Sequence, residues 1–139
     1  MSSSANWYAV HPSEVWRHWH LALPFVQRAL QHQADYDETA VYTNLLSGNM
    51  QLWLVYEPDV AVKAAVVTKF INYPLRKVCL IFLLGGDGFA EWGKYLPEVL
   101  EPWAKSQGCS HMELRGRDGW ARMLGWHKEA IVLRKELDK

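Results

Sequence analysis

The sequence predicts a mixed α/β domain, a mostly antiparallel central sheet flanked by helices, and three observations carry that prediction. Apolar residues recur at helical spacing early in the chain and switch to strand spacing at Met50. Three strand-like segments then follow through short turn-like links, which makes them an antiparallel meander. The third, Lys77–Leu84 (KVCLIFLL), is apolar at consecutive positions, the pattern of a central strand covered on both sides.

Each element has its own local cause. Trp7–Val10 reads as a short first strand. Ser13 is placed as a helix N-cap, and Val15, Trp19, Ala22, Val26 and Leu30 line one helical face. Pro24 lies within that run without an amide to donate, so a kink or two abutting helices is expected. A second helix is expected from about Glu38 to Leu46, capped by Asp37 and closed by Gly48 in the left-handed region. Met50, Leu52, Leu54 and Tyr56 alternate with Gln51, Trp53 and Val55 as a strand. Glu57-Pro58-Asp59 reads as a turn, Val60–Phe70 as the next strand, and Tyr73-Pro74 as the turn into Lys77–Leu84. In that last strand Val78, Leu80 and Phe82 are expected on one face, with Cys79, Ile81 and Leu83 on the other.

After a glycine-rich loop, Gly93–Gly108 reads as a helix and Ser110–Gly116 as a strand. A strand–helix–strand crossover makes that strand parallel to Lys77–Leu84. A short helix over Gly119–Gly125 and a last strand around Lys128–Leu137 complete the order.

Composition narrows the function. The 139 residues suit one domain, 1–139, and half of them are apolar. Lys plus Arg and Asp plus Glu number fifteen each, a balance that argues against nucleic acid as a partner. From Lys105 onward eight basic residues face five acidic ones, at most a shallow basic patch. No apolar run approaches the roughly 18–20 residues that cross a bilayer, and no basic-then-apolar leader is visible, so neither a membrane span nor a secretory signal is expected. Cys79 and Cys109 form no close-spaced motif, consistent with free thiols and a cytoplasmic location. His18 and His20 point to different sides of a helix, so no metal site is expected. Neither Gly-x-Ser-x-Gly nor a P-loop occurs. Of the eight tryptophans, most are expected to cover the sheet, while Trp92, Trp120 and Trp126 are candidates for facing a ligand or partner.

The segment Gly85-Gly86-Asp87-Gly88-Phe89-Ala90 admits two readings. Glycines let a backbone approach an anion, and a helix start supplies unpaired amides, so the loop could cradle phosphate. It could equally be a capped turn. Asp87 and Glu91 bring negative charge, and no Lys or Arg lies between Lys77 and Lys94 to offset them.

This loop within this element order resembles the GNAT superfamily of acetyl-CoA-dependent N-acetyltransferases, most specifically from Lys77 to Trp126. Of the family pattern Gln/Arg-x-x-Gly-x-Gly/Ala, Gly88 and Ala90 match, and Gly85 stands where Gln or Arg is usual. Of the family's Tyr-x-x-x-Gly-Phe, Gly125 and the aromatic Trp126 remain, with Ala121 in place of the tyrosine. The resemblance implies the acyl-CoA N-acyltransferase fold, weakly held acetyl-CoA, and acyl transfer to an unidentified amine. It further implies that Leu83 and Leu84 offer backbone groups to the pantetheine arm, and that Gly86, Asp87, Gly88, Phe89 and Ala90 hold the pyrophosphate. Glu113 is the implied base, with pairing to Arg115 or Arg117 as its other reading. The changes at Gly85 and Ala121 are similar to those of small degenerate phage-encoded GNAT-like proteins. That likeness implies an alternative, a weak or inert binding or structural protein of the kind that is in some cases carried in the virion. The family closes with two strands where only one fits before Lys139, so an open edge implies a protein partner or a homo-oligomer.

Overall fold

A computed structural model describes residues 6–57, 61–87, 92–115 and 124–137. Strands β1 (Asn6–Val10), β2 (Met50–Tyr56), β3 (Val62–Tyr73), β4 (Arg76–Gly86) and β5 (His111–Leu114) alternate with helices α1 (Val15–Leu30), α2 (Glu38–Ser47) and α3 (Leu96–Ser106). The strands form one sheet in sequence order. All neighbours are antiparallel except β4 and β5, which the α3 crossover makes parallel.

Local chemistry sets the helix ends. The Asp37 carboxylate accepts from the Ala40 amide, and Gly48 closes α2 at φ 83°, a conformation that a Cβ would disfavour. Pro24 does not split the first helix, contrary to one of the two expectations for it: α1 is assigned continuously from Val15 to Leu30. The bond that proline forfeits is the one to the carbonyl four residues back, at His20. Both Pro24 and His20 are exposed, so water can satisfy that carbonyl.

Alternation along the strands divides the core into two layers. Met50, Leu52, Leu54, Ala65 and Val67 pack with Val15, Ala22, Phe25 and Val26 of α1 and Val41 and Leu45 of α2. Trp53, Val55, Ala64 and Val66 pack on the other face with Trp92 and with Leu96 and Leu100 of α3. Thr68 is a fully buried polar residue, satisfied by accepting from the Trp53 indole and donating to Gln51 Oε1. Both cysteines are free, and burial, with a smaller effect from nearby Cys109, pushes the Cys79 thiol up to about 12.

The expected face assignment of β4 fails at one residue. Val67 lies opposite Leu83 and Thr68 opposite Ile81, so Phe82 is an extra residue, a β-bulge. Phe82 and Leu83 therefore both pack on the α1 and α2 side, while Ile81 and Leu84 both pack on the α3 side. Gly85 and Gly86, expected in a loop, are the last residues of β4. A Cβ at Gly85 would lie 2.2 Å from the Phe25 carbonyl oxygen, and one at Gly86 would lie 2.3 Å from the Ala64 Cβ. Close approach of α1 and β3, rather than a turn, requires glycine at these two positions.

The last strand is a correction too. Residues 126–137 form no strand, and Ile131, Val132, Leu133 and Leu137 are exposed. Apolar residues alone do not make a strand; its amides and carbonyls need a neighbouring strand, and none pairs with this segment among the described residues. The helix expected over Gly119–Gly125 falls mostly outside the described residues.

Replacing Gly85 with alanine tests the helix–strand contact. The atom in the way is backbone, so α1 must shift, and Gly85→Ala is expected to cost about 1–3 kcal/mol in urea denaturation. An unchanged midpoint would show that α1 does not rest on β4 here.

Candidate functional site

The candidate site lies where β4 outruns β5. The parallel ladder joins Val78–Ile81 to His111–Leu114 and ends there. Strand β4 runs on through Phe82–Gly86 with only β3 paired to it among the described residues. A strand paired on one side directs alternate amides and carbonyls toward the other. The bulge at Phe82 breaks the ladder at the same point and bends the strand. Beyond Ile81, β4 therefore presents backbone donors and acceptors to a partner that could run alongside it.

Three bonds tie down the end of that edge. The Asp87 amide donates to the Lys63 carbonyl at 3.0 Å. The Trp92 indole donates to the Asp87 carbonyl at 2.7 Å. Arg28, from the last turn of α1, donates from Nη1 to Asp87 Oδ1 at 2.8 Å. Trp92 is only 1% exposed and meets Trp7 edge-on, so it anchors Asp87 from the core, contrary to the expectation that it faces a ligand or partner. Trp126 is half-buried against the same cluster, and Trp120 lies outside the described residues.

The charge deficit seen between Lys77 and Lys94 is met from elsewhere in the chain. The hydrogen bond from Arg28, then its positive charge, holds the Asp87 carboxyl below the usual carboxylate range, and Lys63 adds to the effect. Lys63 is itself an extra residue, at the irregularity between Val55 and Tyr56 in the β2–β3 pairing, and its Nζ lies 3.5 Å from Glu57. Sequence reasoning missed Arg28 because 59 positions separate it from Asp87. The only signal that could have found it is pairwise: Gly85 admits Phe25, and Arg28 follows Phe25 by one helical turn.

The predicted site residues divide accordingly. Leu83, Leu84, Gly86 and Asp87 come together with Arg28 and Lys63 at the end of β4. Gly88, Phe89 and Ala90 lie outside the described residues, as does Ala121. Glu113 sits apart. It pairs with Leu80 in the closed part of the β4–β5 ladder, about 20 Å along the strand from Gly86. Its Oε2 accepts from Arg115 Nε at 3.0 Å, and its Oε1 lies 3.5 Å from the Tyr73 hydroxyl.

No family model matches the sequence. No curated protein matches it either. Solved structures do. An aminoglycoside acetyltransferase, meta-AAC0020, from an uncultured soil metagenomic sample and in complex with sisomicin is similar at TM-score 0.71 and 11% identity, covering 97% of each chain. Another soil metagenomic aminoglycoside acetyltransferase, HMB0005, is similar at TM-score 0.69 and 14% identity over 99% of this chain and 100% of its own. Glucosamine-6-phosphate N-acetyltransferase from Arabidopsis thaliana is similar at TM-score 0.62 and 16% identity over 96% and 99%. At such identities the likeness is one of fold: this chain has the GNAT acyltransferase fold.

The Arg28–Asp87 pair has a pH signature. Its folded carboxyl titrates below the unfolded one, so the pair contributes stability above the unfolded pKa and loses it as pH falls through the folded value. In a carboxyl-detected NMR titration, Asp87 is expected below the ordinary aspartate range, and Arg28→Gln should return it there. Identical midpoints in the two proteins would remove Arg28 as the cause.

Proposed function

We propose that this protein binds acetyl-CoA along the open edge of β4 and transfers the acetyl group to an amine. The observation that carries the proposal is the one-sided stretch Phe82–Gly86, bulged at Phe82 and ending beside Arg28 and Lys63. Its residues suit the cofactor. Backbone groups of Leu83 and Leu84 would hold the amide-bearing pantetheine arm as a strand holds a neighbour. Gly86 and Asp87, with Gly88, Phe89 and Ala90, would hold the pyrophosphate through backbone amides. The position where the family usually has Gln or Arg is occupied here by Gly85, because α1 leaves no room for a side chain. Arg28 would supply from α1 the cation that position 85 lacks.

Bound there, acetyl-CoA supplies an activated acetyl group. Transfer also needs a group that takes a proton from the attacking amine, and Glu113 is the proposed base. To act, Glu113 would have to release one of the contacts to Arg115 and Tyr73. Those contacts favour a second reading, in which Glu113 is structural and the domain binds without efficient turnover. The amines named for the similar structures, sisomicin and glucosamine-6-phosphate, are the first acceptors to test.

Calorimetry with CoA is expected to give a Kd of about 10⁻⁴ M, since backbone amides dominate and Asp87 competes for Arg28. Arg28→Glu should weaken binding at least about tenfold, a loss typical of a charge-assisted contact. Nanomolar binding, or binding indifferent to Arg28→Glu, would overturn the proposed phosphate contacts. For an accepted amine, Glu113→Gln should lower kcat by about 10²–10⁴-fold if Glu113 is the base. An unchanged kcat would assign it to the structure.

A further inference from the structure

Beside the start of the open edge of β4 stands a cation that neither the fold nor the proposed function uses. Lys69 lies opposite Leu80 on β3, and Glu113 lies opposite Leu80 on β5. Met112 and Leu114 pack on the α3 side of the sheet, so Glu113, between them, belongs to the α1 and α2 side. Lys69 is on that side as well: its Nζ sits 5.3 Å from the centre of the Phe82 ring and 5.7 Å from that of Tyr36. Two strand spacings, about 10 Å, separate the backbones of Lys69 and Glu113. Phe82 is the first residue past the closed ladder, so Lys69 is within one side chain of the place where the edge opens. Its surroundings are built. Tyr36 and Phe82 meet edge-on with centroids 4.7 Å apart, and both rings, like Lys69, are half-buried. Aromatic rings hold an ammonium and its stem without neutralising the charge. No carboxylate pairs with Lys69 among the described residues, and its one hydrogen-bonding contact there is the Tyr36 hydroxyl at 3.5 Å. An ammonium has three donors, so most of its capacity is unspent. The neighbouring charges are matched: Glu113 accepts from Arg115, and Asp35, next to Tyr36 in the chain, accepts from Arg134.

We propose that the acceptor amine also carries an anionic group, a phosphate or a carboxylate, and that Lys69 binds this group while the amine faces Glu113. The inference rests on the function proposed above and names the class of its acceptor. A half-buried cation without a counter-ion is the group on this face with most to gain from an anion. The spacing of the two backbones suits a small acceptor whose amine and anion are several bonds apart, as in an acidic or phosphorylated amino sugar. A polycationic amine such as sisomicin meets a like charge in a place where water screens it less. Lys69 is a point charge and not a planar fork, so it accepts a tetrahedral phosphate or a flat carboxylate alike.

Calorimetry in saturating CoA, which fills the pyrophosphate site, compares four probes: glucosamine-6-phosphate, 2-amino-2-deoxyglucuronate, glucosamine and sisomicin. The first two present the amine of glucosamine with a phosphate or a carboxylate added at the far end. At least one of them should bind about tenfold or more tightly than glucosamine and sisomicin, the gain typical of a hydrogen bond to a charged group. Which of the two it is identifies the anion. Lys69→Met keeps an unbranched stem on the rings and removes the charge, so it should erase that advantage, while Lys69→Arg should retain it. Both variants should fold, because Lys69 lies outside the buried clusters, and the wild-type preference is measured without them. Where an amine is turned over, the loss in Lys69→Met should appear in KM. Equal binding of the anionic probes and glucosamine, tighter binding of sisomicin, a preference that survives Lys69→Met, or a loss confined to kcat overturns the inference. The CoA titration separates this failure from the other. A chain that binds CoA normally yet shows no anion preference loses only the acceptor class, whereas one that binds no CoA loses the proposed function and the acceptor role of Lys69 with it.

Discussion

The contact of the Phe25 carbonyl with Gly85 governs how the molecule is put together on the side of its candidate site. A helix normally stands off a sheet by the thickness of side chains, and here one layer is missing. At Gly85 a methyl group would already overlap the helix backbone. The same contact places the last turn of α1 over the end of β4, so that Arg28 reaches Asp87. Packing and electrostatics are therefore linked through a residue that has no side chain.

A second constraint acts along β4. The parallel ladder to β5 stops at Ile81, the bulge follows at Phe82, and the strand continues paired only with β3 among the described residues. The bulge has two consequences. It turns both Phe82 and Leu83 toward α1 and α2, completing that layer of the core. It also separates the part of β4 that β5 covers from the part left open. Asp87 and Trp92 close the open stretch, with a fully buried indole holding a backbone carbonyl of an otherwise exposed residue.

The charge distribution follows the same logic of distance in space. Asp87 and Arg28 are both exposed, so their pairing orients groups more than it stabilises the fold. Past the same end of α1, in the connection to α2, Asp35 receives Arg134 in the same manner. Two ion pairs thus join α1 and the connection that follows it to segments far along the chain, one near the candidate site and one in the exposed apolar segment.

Local pattern was enough for the sheet and helices. The alternation of β2, the strand read after the Glu57-Pro58-Asp59 turn, the doubly apolar β4, the Asp37 cap and the Gly48 terminator all act within a few residues, and each element appears in the fold. So does the parallel β5, because a crossover through a helix allows little else. The mixture of antiparallel and parallel pairing was likewise legible, and with it the fold class. What local pattern could not supply were the facts that depend on partners distant in sequence. Phe82 as a bulge is a mismatch between two strands, invisible in either one. Gly85 and Gly86 as packing glycines need α1 and β3 in place before their reason exists. Arg28 and Lys63 reach the end of β4 only once the sheet and helix have formed, and the β4–β5 ladder sets Glu113 opposite Leu80. The strand expected at Lys128–Leu137 had the right side chains and has no paired strand among the described residues, and a hydrogen-bonding ladder is a property of two segments, never of one.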